Sequence, residues 1–247
     1  MVATANVQGT LPQDLAREVL AGVLDLAPDL VGLQEWGLSR YRILRENGPV
    51  RLVPGTRVRA GEPRTGDYRW CMPVFGGCVI GARTDRFDLV RCGCRLLSTP
   101  GRADRQEGRW GLEPPRVATV GVYHDRHRQQ SVALLSYHLV YGVQVGGHYR
   151  EDRPALVARH RAEVRGLQRL VDEQLSRGHV VYAVGDSNFD GLRLSGLTSA
   201  WAGSEDAPGT LGQHRLVDDV FGPGPAASVT LLSNASDHRA VLATRAD

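Results

Sequence analysis

The chain has 247 residues, a formal net charge of +3 and four cysteines. Such a length fits one domain or at most two, and so mild a charge excludes a protein that holds nucleic acid by bulk charge alone. No apolar stretch approaches the ~20 residues needed to span a bilayer, and no basic-then-apolar leader precedes Asn6, so the expected setting is the cytoplasm.

The chain opens on a strand-like run that ends at Asn6. Thr10-Leu11-Pro12-Gln13 reads as a helix start with a capping box and an early proline. Leu15, Val19, Leu20, Val23 and Leu24 then follow helical spacing until Pro28 stops it. Leu30–Leu33 is an apolar run leading into Gln34-Glu35. Further strand-like runs lie around Cys78–Ile80, Val117–Tyr123 and Val132–Leu135, with Asp125–Arg128 as a polar turn between the last two. Arg91 to Arg116 reads as a loop carrying Arg95, Arg102, Arg105, Arg109 and Trp110. A second helix is predicted from Arg153 to Ser176, with Leu156, Val164, Leu167, Leu170, Val171 and Leu175 inward and Gly178 at its end. It delivers the chain to a strand, Val180–Val184.

No Pro/Gly/Ser-rich linker, repeat or low-complexity tract divides the chain, so residues 1–247 are expected to form one domain. Every basic residue is arginine, a usage expected from genomic base composition, although arginine suits bidentate phosphate contacts wherever it lines a site. Cys71, Cys78, Cys92 and Cys94 fall in one third of the chain. Cys92-Gly93-Cys94 is too tight for a zinc knuckle, and the four are expected to be core or strand thiols.

Four apolar runs end in a residue that can bind metal or carry a proton: Glu35, His138, Asp186 and the Asp237-His238 pair. A charge just past a strand end sits in the crevice where sheets present their sites, whereas one inside the strand would be buried. Singly, each has a plainer reading. An acid after a strand is commonly a turn residue or a helix cap; Glu35 precedes Trp36-Gly37-Leu38-Ser39, His138 suits a hydrogen-bonded core, and Asp218-Asp219 suits a solvated turn. Taken in order, the set points to a hard divalent cation and activated water, the chemistry of phosphoesters.

Six segments in sequence carry a resemblance: Asn6-Val7, Gln34-Glu35, Ser136-Tyr137-His138, Gly185-Asp186-Ser187-Asn188, Asp219-Val220-Phe221 and Ser236-Asp237-His238. In this order they resemble the motifs of the endonuclease/exonuclease/phosphatase superfamily, the deoxyribonuclease I-like phosphoesterases, across nearly the whole chain. Two departures stand out: Gln8 where many members carry an acid, and Ser187 where a phenylalanine is common. The resemblance implies an α/β fold, a four-layer α/β sandwich of two packed, mostly antiparallel sheets flanked by helices. It implies Mg²⁺, with Mn²⁺ as a substitute, held by Glu35 with Asn6, Asp186 and Asp237. It also implies a His238 oriented by Asp219 to activate water, an Asn188 that orients phosphate or nucleophile, and a His138 that stabilises developing charge or protonates the leaving group.

His138 leans the resemblance toward the branch with two catalytic histidines. The expected activity is a Mg²⁺-dependent phosphodiesterase acting on nucleic acid, with Arg109 and Trp110 as substrate contacts that grip a backbone and stack on a base. The alternatives are a phosphatase or phosphodiesterase for a small phosphorylated metabolite or lipid headgroup, and a non-catalytic binding module on the same fold.

Overall fold

A computed structural model describes residues 1–53, 66–106, 109–204 and 207–245, with side chains for all of these except Gln106 and Arg109. In chain order the described elements begin with β1 (Val2–Asn6), α1 (Gln13–Leu24), β2 (Leu30–Gln34), α2 (Tyr41–Glu46), β3 (Val50–Val53), β4 (Tyr68–Pro73) and β5 (Val79–Arg83). There follow β6 (Phe87–Ser98), β7 (Gly101–Gln106), β8 (Arg109–Glu113), β9 (Arg116–Asp125), β10 (Gln130–His138), β11 (Gln144–Val145) and β12 (His148–Tyr149). The chain ends with α3 (Pro154–Ser176), β13 (Val180–Asp186), β14 (Asp218–Phe221), β15 (Ala226–Leu232) and β16 (Ala240–Arg245).

A seven-stranded sheet runs β15-β16-β1-β2-β5-β4-β3, and a five-stranded sheet runs β14-β13-β10-β9-β6. Pairing is mostly antiparallel; β1–β2, β3–β4 and β10–β13 are the parallel pairs. Alternation along the strands sorts their side chains into separate cores. Val19, Leu20 and Val23 of α1 and Leu44 of α2 pack on Ala3, Ala5 and Leu33 on the outer face of the larger sheet. Val2, Leu30, Leu134, Val184, Val220 and Val241 fill the space between the sheets. Leu167 and Val171 of α3 cover Leu135, Ala183 and Phe221 on the outer face of the smaller sheet. The expected four-layer α/β sandwich is therefore what the chain builds. None of the described helices is long and apolar enough to cross a membrane.

The two main helices lie where periodicity places them, but the start of α1 differs from expectation. Pro12 occupies its N-cap position and no side chain caps it, so Thr10 forms no capping box. The connection from β1 to α1 is instead held by Arg40, only 2% exposed, whose guanidinium donates to the carbonyls of Val7, Gln8 and Leu11 at 2.7, 2.8 and 2.8 Å. The segment expected as a loop, Arg91–Arg116, is largely strand. β6 continues to Ser98 because it pairs with β9 along its length, and β7 and β8 then form a hairpin before β9 begins. The cysteines are free, with Cys71 and Cys78 buried and Cys92 and Cys94 half-buried.

The sheets approach most closely at Gly32. A β-carbon there would lie 2.2 Å from Val184 Cγ2 of the facing sheet, closer than packed atoms allow. Beside it a buried chain of hydrogen bonds crosses the interface: Thr4 donates to Gln34 Oε1 at 3.0 Å, and Gln34 Nε2 donates to Ser136 Oγ at 3.0 Å. Gly32→Ala is expected to overpack this contact and lower stability by about 1–3 kcal/mol, read as a lower urea midpoint. An unchanged midpoint would mean that the sheets are free to move apart at this point.

Candidate active site

Side-chain alternation carries residues from the inter-sheet core to a shared end of the two sheets. On β1 the inward series is Val2, Thr4, Asn6, and on β2 it is Leu30, Gly32, Gln34. Leu134, Ser136, His138 forms the series on β10, and Val184, Asp186 on β13. Each begins apolar and ends in a polar group. β10 and β13 run parallel with His138 opposite Asp186, and β1 and β2 run parallel with Asn6 opposite Gln34, so these C-terminal strand ends gather at one crevice. Glu35 follows immediately, its backbone in the left-handed region at φ +58°, as is that of Asn188 at φ +52°. Such conformations are uncommon for side chains of this kind and concentrate at functional sites.

The groups meet across the sheets. Asn6 Nδ2 donates to Asp186 Oδ2 at 3.0 Å and to Glu35 Oε1 at 3.3 Å, and the Gly9 amide donates to Glu35 Oε2 at 2.6 Å. Asn188 Nδ2 donates to Leu139 O at 3.1 Å and Asp186 Oδ2 at 3.2 Å, and its amide to Asp186 Oδ1 at 2.7 Å. His138 Nε2 lies 3.5 Å from Asp186 Oδ2 and 3.9 Å from Glu35 Oε1. His238 Nδ1 lies 2.7 Å from Asp218 Oδ2, while its Nε2 is 3.9 Å from Asp186 Oδ2.

This crowding shifts the ionisable groups in opposite directions. Burial, then the charge of Asp218, pushes the Asp186 carboxyl up to about 7. Burial alone would depress His238, but its bond to Asp218 and the charges of Asp218, Asp186 and Asp237 outweigh it and lift its pKa to about 9. Burial, with the charges of Arg116 and His238 added, holds His138 well below the ordinary histidine value. One imidazole is thus kept neutral and the other charged.

The carboxylates fit a hard cation. Asp186, Asp218 and His238 are all buried and offer ligand atoms within 4.8 Å of one another, and Asp218 Oδ1 is buried with no hydrogen-bond partner. A buried acceptor left unpaired beside a second carboxylate is costly in a protein interior, and a divalent ion with oxygen preference is the partner that removes the cost.

Asn6, Glu35, His138, Asp186, Asn188 and His238 come together, but one expected pairing is corrected: His238 bonds Asp218, and Asp219 faces away. The reason is strand parity. Val220 of β14 points into the inter-sheet core and Phe221 into the core under α3, so Asp218 shares the inward face with Val220 and Asp219 the outward face with Phe221. Asp219 accepts from Ser199 Oγ at 2.5 Å and from the Ala200 and Val220 amides at 3.1 and 2.6 Å. Asp237 is exposed at the rim, with its carboxylate 3.3 Å from Ser236 Oγ. Trp110 is 64% exposed on β8, in a hairpin inserted where β9 begins beside the end of β10; the side chain of Arg109 lies outside the described residues. Of the two departures, Ser187 donates to Phe189 O and Val217 O, and the Gln8 amide donates to Asn6 Oδ1.

Arg116 belongs with the site by its field on His138. It makes no hydrogen bond or ion pair among the described residues, and its Nε is buried without a partner. The sequence offered it only as one arginine of a presumed loop; its position directly before the strand that pairs with β10 is the signal that singles it out.

The Asp218–His238 pair has a measurable titration. His238 is raised from 6.5 to about 9 in the folded protein, so in EDTA its stabilising contribution is complete below about 6.5 and lost as pH rises through about 9. Asp218→Asn should return the His238 ring titration toward the ordinary value by NMR and remove this pH dependence of stability. Asp219→Asn should leave the ring titration where it is. The reverse pattern would restore Asp219 as the partner.

No protein-family profile and no curated protein matches this sequence. Solved structures do. The chain is similar to D. rerio TDP2 complexed with a single-strand DNA product, with 17% identity over 98% of this chain and 96% of that one and a TM-score of 0.62. It is similar to an endonuclease/exonuclease/phosphatase from Bacteroides vulgatus, with 16% identity over 98% and 96% of the two chains and a TM-score of 0.66. A mannosyl-6-phosphatase of Bacteroides thetaiotaomicron is alike to the same degree, with 19% identity over 97% of each chain and a TM-score of 0.63. At such identities the likeness speaks for architecture: the chain has the fold of the endonuclease/exonuclease/phosphatase superfamily.

Proposed function

We propose that the protein is a divalent-metal-dependent phosphoesterase, and that its substrate class is nucleic acid. The observation that carries the reading is the buried Asp218 Oδ1 without a partner, set against Asp186 and a histidine fixed by the same carboxylate. A binding module would gain nothing from confining two carboxylates and two oppositely shifted histidines in one crevice. The similar solved structures, which include proteins named for a DNA product and for a sugar phosphate, support phosphoester chemistry and leave both substrate classes on the bench.

Glu35 and Asp186, braced by the Asn6 amide between them, would hold Mg²⁺ or Mn²⁺, with Asp237 at the rim. Bound there, the ion supplies Lewis-acid polarisation of a phosphoryl oxygen. Asp218 fixes the tautomer and orientation of His238, whose Nε2 faces the site and Asp186. Once the charge of Asp186 is neutralised, less negative field keeps His238 protonated, and Nε2 is free to accept the proton of the attacking water. His138, kept neutral, donates to a phosphoryl oxygen or the departing oxygen. Arg116 brings unpaired donors and a fixed positive charge to the same side as His138, which favours the charge that grows on phosphate oxygens in an in-line displacement. Asn188 supports Asp186 through its amide contacts. Trp110, exposed on its hairpin, would stack on a base.

Purified protein given single-stranded DNA, duplex DNA, RNA and a panel of phosphorylated metabolites should release product with Mg²⁺ and none with EDTA. His238→Ala should lower the rate by about 10²–10⁴-fold while circular dichroism shows an intact fold. Metal-dependent cleavage of polynucleotides supports the nucleic-acid reading; phosphate released only from the metabolites would replace it with the phosphatase alternative. Full activity in folded His238→Ala would remove that residue from the mechanism.

A further inference from the structure

Behind the catalytic crevice, on the opposite face of the β13–β14 edge, residues 191–204 enclose a cavity of about 810 Å³. That volume lies in the range of small-molecule sites. Leu192, Leu197, Trp201 and Phe221 give it apolar walls, and Asp219 is the buried charge on its lining. Ser187, which also lines it, spends its hydroxyl on Val217 O and Phe189 O. Arg193, the other charged residue on the lining, is exposed.

Asp219 is set up to receive something. Its Oδ1 accepts the Ala200 and Val220 amides and its Oδ2 accepts the Ser199 hydroxyl, so three contacts hold the carboxylate rigid while one acceptor position of Oδ2 stays open. It makes no ion pair among the described residues. Arg245 is near enough for its charge to be felt at Asp219, but its terminal nitrogen donates to Thr198 O and Val220 O. A rigid carboxylate without a cation, at the wall of a cavity otherwise largely apolar, has the complementarity of an amphipathic cation.

We propose that this cavity is a binding site for a small amphipathic cation, an ammonium or amidinium group carried on a compact apolar body, with the cationic head on Asp219 and the body against Leu192, Leu197 and Phe221. The site stands back to back with the catalytic pair. Trp201 Nε1 donates to the Asp218 carbonyl at 3.1 Å, so the wall of the cavity is tied to the residue that orients His238. This assignment is independent of which phosphoester the crevice hydrolyses.

The test is an NMR titration of the full chain with 2-phenylethylammonium, followed at the Trp201 indole N–H. A saturable shift is expected, and Asp219→Asn, which is isosteric and keeps hydrogen-bonding atoms for Ser199, Ala200 and Val220, should weaken it about tenfold or more. Leu197→Trp, which narrows the cavity with Asp219 intact, should abolish saturation and covers the case in which Asp219→Asn fails to fold. The neutral 2-phenylethanol should bind more weakly than the ammonium in the wild type. No saturable shift with the ammonium, or equal affinity in the wild type and the folded Asp219→Asn protein, would overturn the proposal.

Discussion

Everything at the crevice depends on how closely the two sheets are held. Asn6, Glu35 and His238 come from the larger sheet and its connections, whereas His138, Asp186, Asn188 and Asp218 come from the smaller one. Neither sheet carries a usable set alone. The spacing is fixed directly beneath the site by Gly32 against Val184 and by the buried Thr4–Gln34–Ser136 hydrogen bonds. Apolar packing supplies the adhesion between the sheets, but it is non-directional; the polar chain supplies the register, because a slip would strand three buried polar side chains without partners.

That register creates an electrostatic situation no exposed surface would sustain. Two carboxylates lie within reach of one imidazole, and the protein answers the crowding by raising Asp186 and His238 while depressing His138. Groups whose environments drive their protonation apart are able to divide acid and base duties between them. The left-handed backbone at Glu35 and Asn188 belongs to the same economy: both turn the chain sharply at a strand end so that a side chain or its supporting amide reaches Asp186 or the crevice.

Much of this was legible in the sequence because short apolar runs ending in Glu35, His138 and Asp186 state both where strands stop and what they deliver. The helices were legible for the same reason, since Val19, Leu20 and Val23, and Leu167 and Val171, keep a single face. Adjacent acids were harder. Asp218 and Asp219 differ only in which way a strand residue points, and that depends on parity with Val220 and Phe221, which face different cores. The stretch from Arg91 to Arg116 misled because its arginines mask a strand whose inward residues, Cys92 and Cys94, are small and weakly apolar. Arg40 shows a further limit: a buried guanidinium can replace a capping side chain by collecting carbonyls from a distant loop, and no local pattern announces it.

The central claim is that one cation site is assembled from both sheets. Paramagnetic Mn²⁺ titrated into protein with labelled histidines tests it most directly. The account requires the ring signals of His138 and His238 to broaden together at the same low Mn²⁺ concentrations, and Asp186→Asn to move both effects to higher concentrations. Broadening of one ring without the other, or of neither, would contradict a shared site between the sheets.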